Sequence, residues 1–138
     1  MSGVINVYKA GGILIKDGKF LVTRSNGKDI FYAPGGRIEQ GEDSESALVR
    51  ELEEELSIRV KKEHLKPFGT FFHPGAGEEH LTIKMDVFLV EAWEGEIAPG
   101  NEIEEFLWIS SSPPSNIKIG SIFGEEVLPR LKASGLIE

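Results

Sequence analysis

Three carboxylates at helical spacing, Glu51, Glu54 and Glu55, are the residues of this chain best suited to chemistry. An α-helix advances roughly 100° per residue. Measured from Leu48, Leu52 and Leu56 fall at roughly 40° and 80° and define a core-facing stripe. Glu51, Glu54 and Glu55 then fall at roughly 300°, 240° and 340°, on one face beside that stripe. Glu53, at roughly 140°, points away as a spectator. Like charges three and four residues apart repel by about 0.2–0.5 kcal/mol per pair. The acids also lie in the C-terminal half of the helix, where the macrodipole disfavours anions. A hard divalent cation reverses the sign of this problem, because carboxylate oxygens are the ligands that Mg²⁺ and Mn²⁺ prefer. An arbitrary Glu-rich helix is more simply a solvated charged face, so the metal reading needs a second feature.

The preceding segment supplies it. Phe31-Tyr32-Ala33-Pro34-Gly35-Gly36 puts two glycines where a backbone turns sharply or approaches something closely. Ala47, at roughly 260° on the same wheel, is small enough for that loop to fold over. Loop carbonyls can then join the carboxylates as neutral oxygen ligands. Glu42 stands ready to pair with a cation, and Arg50 is the candidate, so the two read as a brace.

Other elements must hold this pair of features together. Asp43 is a suitable N-cap for a helix from Ser44 to about Ser57, with Glu45 in its first turn. Upstream, Val4 to Lys16 is rich in apolar and β-branched residues. Lys16-Asp17-Gly18-Lys19 carries the Asp-Gly hairpin signal, with Phe20 to Arg24 as the returning strand. Ser25 to Asp43 reads as a shaped, glycine-rich loop. Leu65 to His73 reads as a strand, and His80 to Trp93 alternates apolar and polar residues over its first half. His73-Pro74-Gly75-Ala76-Gly77 reads as the hairpin loop between them, and His73 and His80 are assigned no chemistry. Ile103 to Ser110 suggests a further strand, and Ile122 to Leu136 a C-terminal helix kinked at Pro129 and ended by Gly135. Tyr8, Phe31 and Tyr32 are expected to pack in the core. The pattern predicts an α+β layered fold with a mixed sheet, in one domain spanning 1–138.

Composition narrows the functional classes. The 138 residues include 23 acids against 15 Lys and Arg, a net charge of −8. Such a surface repels nucleic acid polymers and anionic membranes. It also repels a small phosphorylated ligand unless cations offset the field. No cysteine is present, which removes disulfides and thiolate metal sites. The N-terminal Met1 to Asn6 has no signal-peptide pattern, and no apolar run is long enough to span a bilayer, so a cytoplasmic location is expected.

Gly36, Glu42, Arg50, Glu51, Leu52, Glu54, Glu55 and Ile58 resemble the Nudix box, G-x5-E-x7-R-E-U-x-E-E-x-G-U with U apolar. The departure is Ser57, where the family has glycine. A left-handed helix end would suit glycine better by about 1 kcal/mol, so a local effect on stability with retained activity is expected. The resemblance implies a Nudix-type α/β/α sandwich, with a mixed β-sheet between helices, and a hydrolase that directs water at phosphorus in a nucleoside diphosphate linked to X. It implies Mg²⁺, with Mn²⁺ as the alternative, held by Glu51, Glu54, Glu55 and a main-chain oxygen at Gly36, with Gly35 against the substrate. Family members differ in the general base: Glu51 serves, or a carboxylate outside the box. Here Glu102 is the first choice and Glu105 the second, in the loop before Trp108. The resemblance leaves a homodimer open, and no exposed apolar stripe in the sequence points to one surface.

Three features are similar to MutT-like nucleoside triphosphate pyrophosphatases: Arg24 closing a strand as a phosphate ligand, Pro113-Pro114-Ser115-Asn116 with Asn116 reading a base, and the stretch from Val87 to Glu96. They favour a nucleoside triphosphate, including one with oxidised guanine. Pro74, close to where ADP-ribose pyrophosphatases carry a proline, favours ADP-ribose or another nucleotide sugar. A nucleotide-sensing Nudix module and a Ca²⁺-binding scaffold are the non-catalytic alternatives.

Overall fold

Asp17 and Gly18 set the first turn. Both have positive φ, 54° and 73°, as a two-residue hairpin with the twist of its strands requires. The computed structural model describes residues 7–75, 78–120 and 122–138. Met1 to Asn6 and Ala76-Gly77 lie outside the described residues, and His73, Pro74 and Gly75, expected in the hairpin loop with them, belong instead to the strand before it. The turn joins β2 (Ile15–Lys16) to β3 (Lys19–Ser25), after β1 (Val7–Ile13). The segment from Ser25 to Asp43, expected as loop, contains two short strands, β4 (Ile30–Phe31) and β5 (Gly35–Arg37). The helix α1 (Ser44–Leu56) follows, then a 3-10 turn (Lys62–His64), the long hairpin β6 (Leu65–Gly75) and β7 (Glu78–Val90), β8 (Ile103–Ile109) and β9 (Lys118–Ile119).

The main sheet has the order β5-β1-β7-β6. β1 runs parallel to β7, and the other two pairings are antiparallel, so the sheet is mixed. Its two faces are both covered, which explains why β1 is apolar throughout its second half. Ala10, Phe88 and Val90 face α1 and pack with Leu48, Leu52 and Leu56. Ile13, Phe71 and Val87 face the other way, into a second core with Phe20, Phe123 and Leu131. These two apolar layers make the helix–sheet–helix sandwich. β2, β3 and β8 form a second sheet, and β4 pairs with β9 in parallel.

Both helices end or begin differently from a uniform rod. The C-terminal segment is two pieces: a π-helical turn (Ile122–Val127) running into α2 (Leu128–Ala133). Pro129 sits in the first turn of α2, where the missing N–H costs least, rather than kinking a longer helix. Asp43 caps α1, its side chain accepting from the Ser46 amide at 2.7 Å. At the other end Ser57 is left-handed, φ 62° and ψ 26°. Its hydroxyl recovers only a long, exposed bond to the Ala98 carbonyl, 3.3 Å. Replacing Ser57 with glycine removes the Cβ strain and should raise the unfolding free energy by about 0.5–1 kcal/mol, read as a higher midpoint in urea at constant m-value.

Candidate active site

The site begins with a backbone that has no room for side chains. β5 pairs with β1 in the register Gly11↔Gly35, Ala10↔Gly36 and Lys9↔Arg37. Gly35 has φ 148°, and a Cβ there would lie 2.1 Å from the Ala10 carbonyl oxygen. A Cβ on Gly36 would lie 2.6 Å from the carboxyl carbon of Glu51. The two glycines therefore form an edge strand pressed between β1 and the acidic face of α1. The helix can come this close because Ala47, facing the same side, is fully buried.

Glu51, Glu54 and Glu55 differ sharply in surroundings. Glu55 lies deepest, accepting a hydrogen bond from the Gly35 amide at 3.0 Å. Burial raises its carboxyl to about 8, helped by the Glu51 and Glu102 charges and opposed by the Gly35 amide. Burial also raises Glu51, against the pull of Arg50. Glu54 is far more open, with 42% of its side chain exposed against 15% for Glu51. Glu53 is exposed on the opposite side, as the wheel predicts.

Arg50 organises the cluster. Its Nε and Nη2 donate to the two carboxylate oxygens of Glu42 at 2.8 and 3.0 Å, a bidentate pair. Nη2 also donates to the Arg37 carbonyl at 3.1 Å, tying β5 to α1. Nη1 donates to Glu51 at 2.8 Å and lies 3.4 Å from Glu54. The guanidinium, with the Glu39 amide, pulls Glu42 down to about 2, and the pairing in turn raises Arg50. Among the described residues no three acidic or histidine side chains converge as a ready-made metal cage. Glu51 and Glu54 are turned towards Arg50, and they would have to swing away from it to meet a cation. The donor set nonetheless fits a hard divalent ion. Buried Glu55 is pressed against Glu51 beside bare backbone, and at neutral pH a proton relieves the repulsion that a metal would otherwise relieve.

The outlying candidates separate. α1 ends against the segment leading into β8: the Ala98 and Gly100 amides donate to the Leu56 and Glu55 carbonyls at 3.0 and 2.9 Å. Glu102 follows that cap and is near enough for its charge to bear on Glu55. Glu105 is different. It lies within β8 rather than in a loop, directly across from Arg24 on β3. Arg24 donates to Glu105 at 2.9 Å, to Glu104 at 3.1 Å and to the Lys28 carbonyl at 2.8 Å, so its fork is occupied by protein groups. Asn116 is exposed in a turn.

A cavity of about 620 Å³ opens beside the acids. Glu55, Gly35 and Gly36 line it, as do Tyr32, His73, Lys9 and Arg37, with apolar walls from β7 and the π-helical turn. Neither Arg24 nor Asn116 is among its lining residues. Tyr8 and Tyr32, expected in the core, are 48% and 43% exposed; Phe31 is buried as expected. Lys9 and Arg37 escape a reading of the sequence because nothing local signals that β1 and β5 pair.

Residues 7–130 match the NUDIX domain family, and the chain belongs to it as a Nudix hydrolase. It is 33% identical over 110 residues to the 8-oxo-dGTP diphosphatase of Haemophilus influenzae, covering 72% of this chain and 76% of that protein. It is also 35% identical over 97 residues to the ADP-ribose pyrophosphatase of Methanocaldococcus jannaschii, covering 68% of this chain but only 56% of that protein. Among solved structures, the MutT NUDIX hydrolase of Burkholderia pseudomallei has the same fold, with a TM-score of 0.69 at 23% identity over 81% of this chain and 89% of that one. Among the described residues no helix is long and apolar enough to cross a membrane.

Two outcomes follow from this packing. Gly36→Ala meets only the movable end of Glu51, so it should cut turnover by about a hundredfold with little change in melting temperature, whereas Gly35→Ala meets backbone and should cost at least about 2 kcal/mol of stability. In chelator, native Glu55 titrates near 8 instead of the usual 4.5, so the folded state holds the extra proton between those values. The melting temperature of the metal-free protein should therefore fall as pH rises through that window, and Glu55→Gln should flatten the slope.

Proposed function

We propose that this chain is a divalent-metal-dependent pyrophosphohydrolase that cleaves a diphosphate linkage in a nucleoside diphosphate linked to X. Its favoured substrate is a nucleoside triphosphate, including one with oxidised guanine, which yields the monophosphate and pyrophosphate. The observation that carries the proposal is the packing of Glu51 and Glu55 onto the Gly35-Gly36 backbone at the wall of a nucleotide-sized cavity. Glu51, Glu54, Glu55 and a main-chain oxygen at Gly36 would hold Mg²⁺, with Mn²⁺ as the alternative. When bound, such an ion neutralises phosphate oxygens and lowers the pKa of a water.

The chain's own groups do the rest. Arg50, anchored by Glu42 and the Arg37 carbonyl, keeps the acidic face in register with β5. Water supplies oxygen to phosphorus, the anhydride bond breaks, and a carboxylate accepts the water proton. Glu51 and Glu102 are the candidates for that acceptor. Glu105 is the weaker one, because it is engaged with Arg24. The same engagement, and the exposed turn at Asn116, remove support for these two residues as substrate ligands and leave the cavity-lining groups to take that role. The second reading, an ADP-ribose or nucleotide-sugar pyrophosphatase, draws on the similarity to the Methanocaldococcus enzyme.

Assay with Mg²⁺ against nucleoside triphosphates, ADP-ribose, dinucleoside polyphosphates and nucleotide sugars separates these readings. A nucleoside triphosphate should give the highest kcat/KM, and a preference for ADP-ribose would install the second reading. Glu54→Gln should lower turnover about a hundredfold or more with an unchanged circular dichroism spectrum. Full turnover in that variant would remove the assigned roles.

A further inference from the structure

Lys9 and Arg37 stand opposite each other on β1 and β5. Side chains alternate along a strand, so Val7, Lys9 and Gly11 share one face of the main sheet. The register continues that face onto Ile83 and Met85 of β7, and these residues form one wall of the cavity. Along this wall the lysine is set among apolar neighbours, with the arginine beside it at the sheet edge.

Such a placement is costly without a ligand. Directly opposed residues on paired strands have Cβ atoms about 4.5–5.5 Å apart, and like charges there repel. Lys9 is also half-buried, and burial together with the Arg37 charge lowers its pKa. This chain has an excess of acids, and several cations have taken one: Arg24, Arg50, Lys62, Lys66 and Lys118 are all ion-paired. Among the described residues neither Lys9 nor the Arg37 side chain has an acidic partner, and no carboxylate contributes to the shift at Lys9. A methionine at position 9 would suit the apolar wall better.

We infer that Lys9 is a specificity-determining residue which, with Arg37, receives a phosphate of the substrate beyond the linkage held at Glu51 and Glu55. This deepens the proposed function and rests on it. Gly36 turns its face of β5 to Glu51 and Arg37 projects from the other, and the cation pair meets the acids through the cavity that Glu55, Lys9 and Arg37 line together. A polyphosphate chain lying in that cavity is within reach of both Glu55 and the cation pair. The substrate class this selects is a nucleoside polyphosphate, in preference to a nucleotide sugar, whose neutral ring would leave both cations unpaired.

The test compares Lys9→Met and Lys9→Arg with the unaltered protein in Mg²⁺. Inorganic tripolyphosphate binding is measured by calorimetry, alongside steady-state kinetics on a nucleoside triphosphate and thermal melting. Lys9→Met should weaken tripolyphosphate binding at least about tenfold, the worth of one charge-assisted hydrogen bond, and raise KM for the triphosphate more than it lowers kcat. Its melting temperature should be unchanged or higher, and Lys9→Arg should retain most of the binding. Wild-type affinity for tripolyphosphate in Lys9→Met overturns the inference, as does undetectable tripolyphosphate binding by the unaltered protein. A fall in melting temperature with kcat reduced and KM unchanged makes Lys9 structural and overturns it equally. If the unaltered protein hydrolyses no substrate yet binds tripolyphosphate through Lys9, the cation subsite stands and the hydrolytic reading falls.

Discussion

Everything in this site depends on how closely a carboxylate-bearing helix can approach a bare backbone. Glu51 occupies the space where Gly36 would carry a side chain, and Glu55 takes the amide hydrogen of Gly35. That approach needs a small residue on the helix, which is Ala47, and an anchored leucine stripe behind it. The leucine stripe fixes the helix backbone, so the acids can move only by rotating their side chains. Burial in that contact, with the Glu51 charge adding to it, raises the Glu55 carboxyl to about 8.

Arg50 is what makes this crowding of carboxylates tolerable. One guanidinium reaches Glu42, the Arg37 carbonyl, Glu51 and Glu54, so it joins the segment before the helix, the edge strand and the acidic face. One nitrogen of it, Nη1, bridges Glu51 and Glu54 and offsets their mutual repulsion. A metal held by Glu51 would compete with Arg50 for the same oxygens, whereas the Arg50–Glu42 pair lies outside that contact.

Much of this was legible in the sequence wherever the cause is local. The leucine period of α1, the Asp43 cap and the Asp17-Gly18 turn each express a preference within a few residues, and each appears in the structure. The spacing from Gly36 to Glu55 carried the family and the acidic face. What escaped was set by pairing at a distance. Gly35-Gly36 reads as a loop until β1 lies beside it, and Arg24 reads as a phosphate ligand until Glu105, 81 residues later, arrives opposite. The lysine at position 9 carries no signal by itself, since its meaning comes from Arg37 across the strand. Ser57 was visible as a departure, and it adopts the left-handed conformation that glycine would have found easier.

The parallel pairing of β1 with β7 has a consequence for biosynthesis. Val7 aligns with Ile83, so one flank of β1 waits for a strand made more than half a chain length later. On a ribosome emitting residues from the N-terminus, β1, β5 and α1 are all exposed before that partner exists. The glycine floor and the acidic helix can meet early, being near in sequence, but their shared strand keeps an open edge until the β6–β7 hairpin arrives. Such non-local closure slows folding and leaves a transient edge available to other chains. The nascent chain therefore carries an aggregation liability at the strand against which the glycine pair later packs.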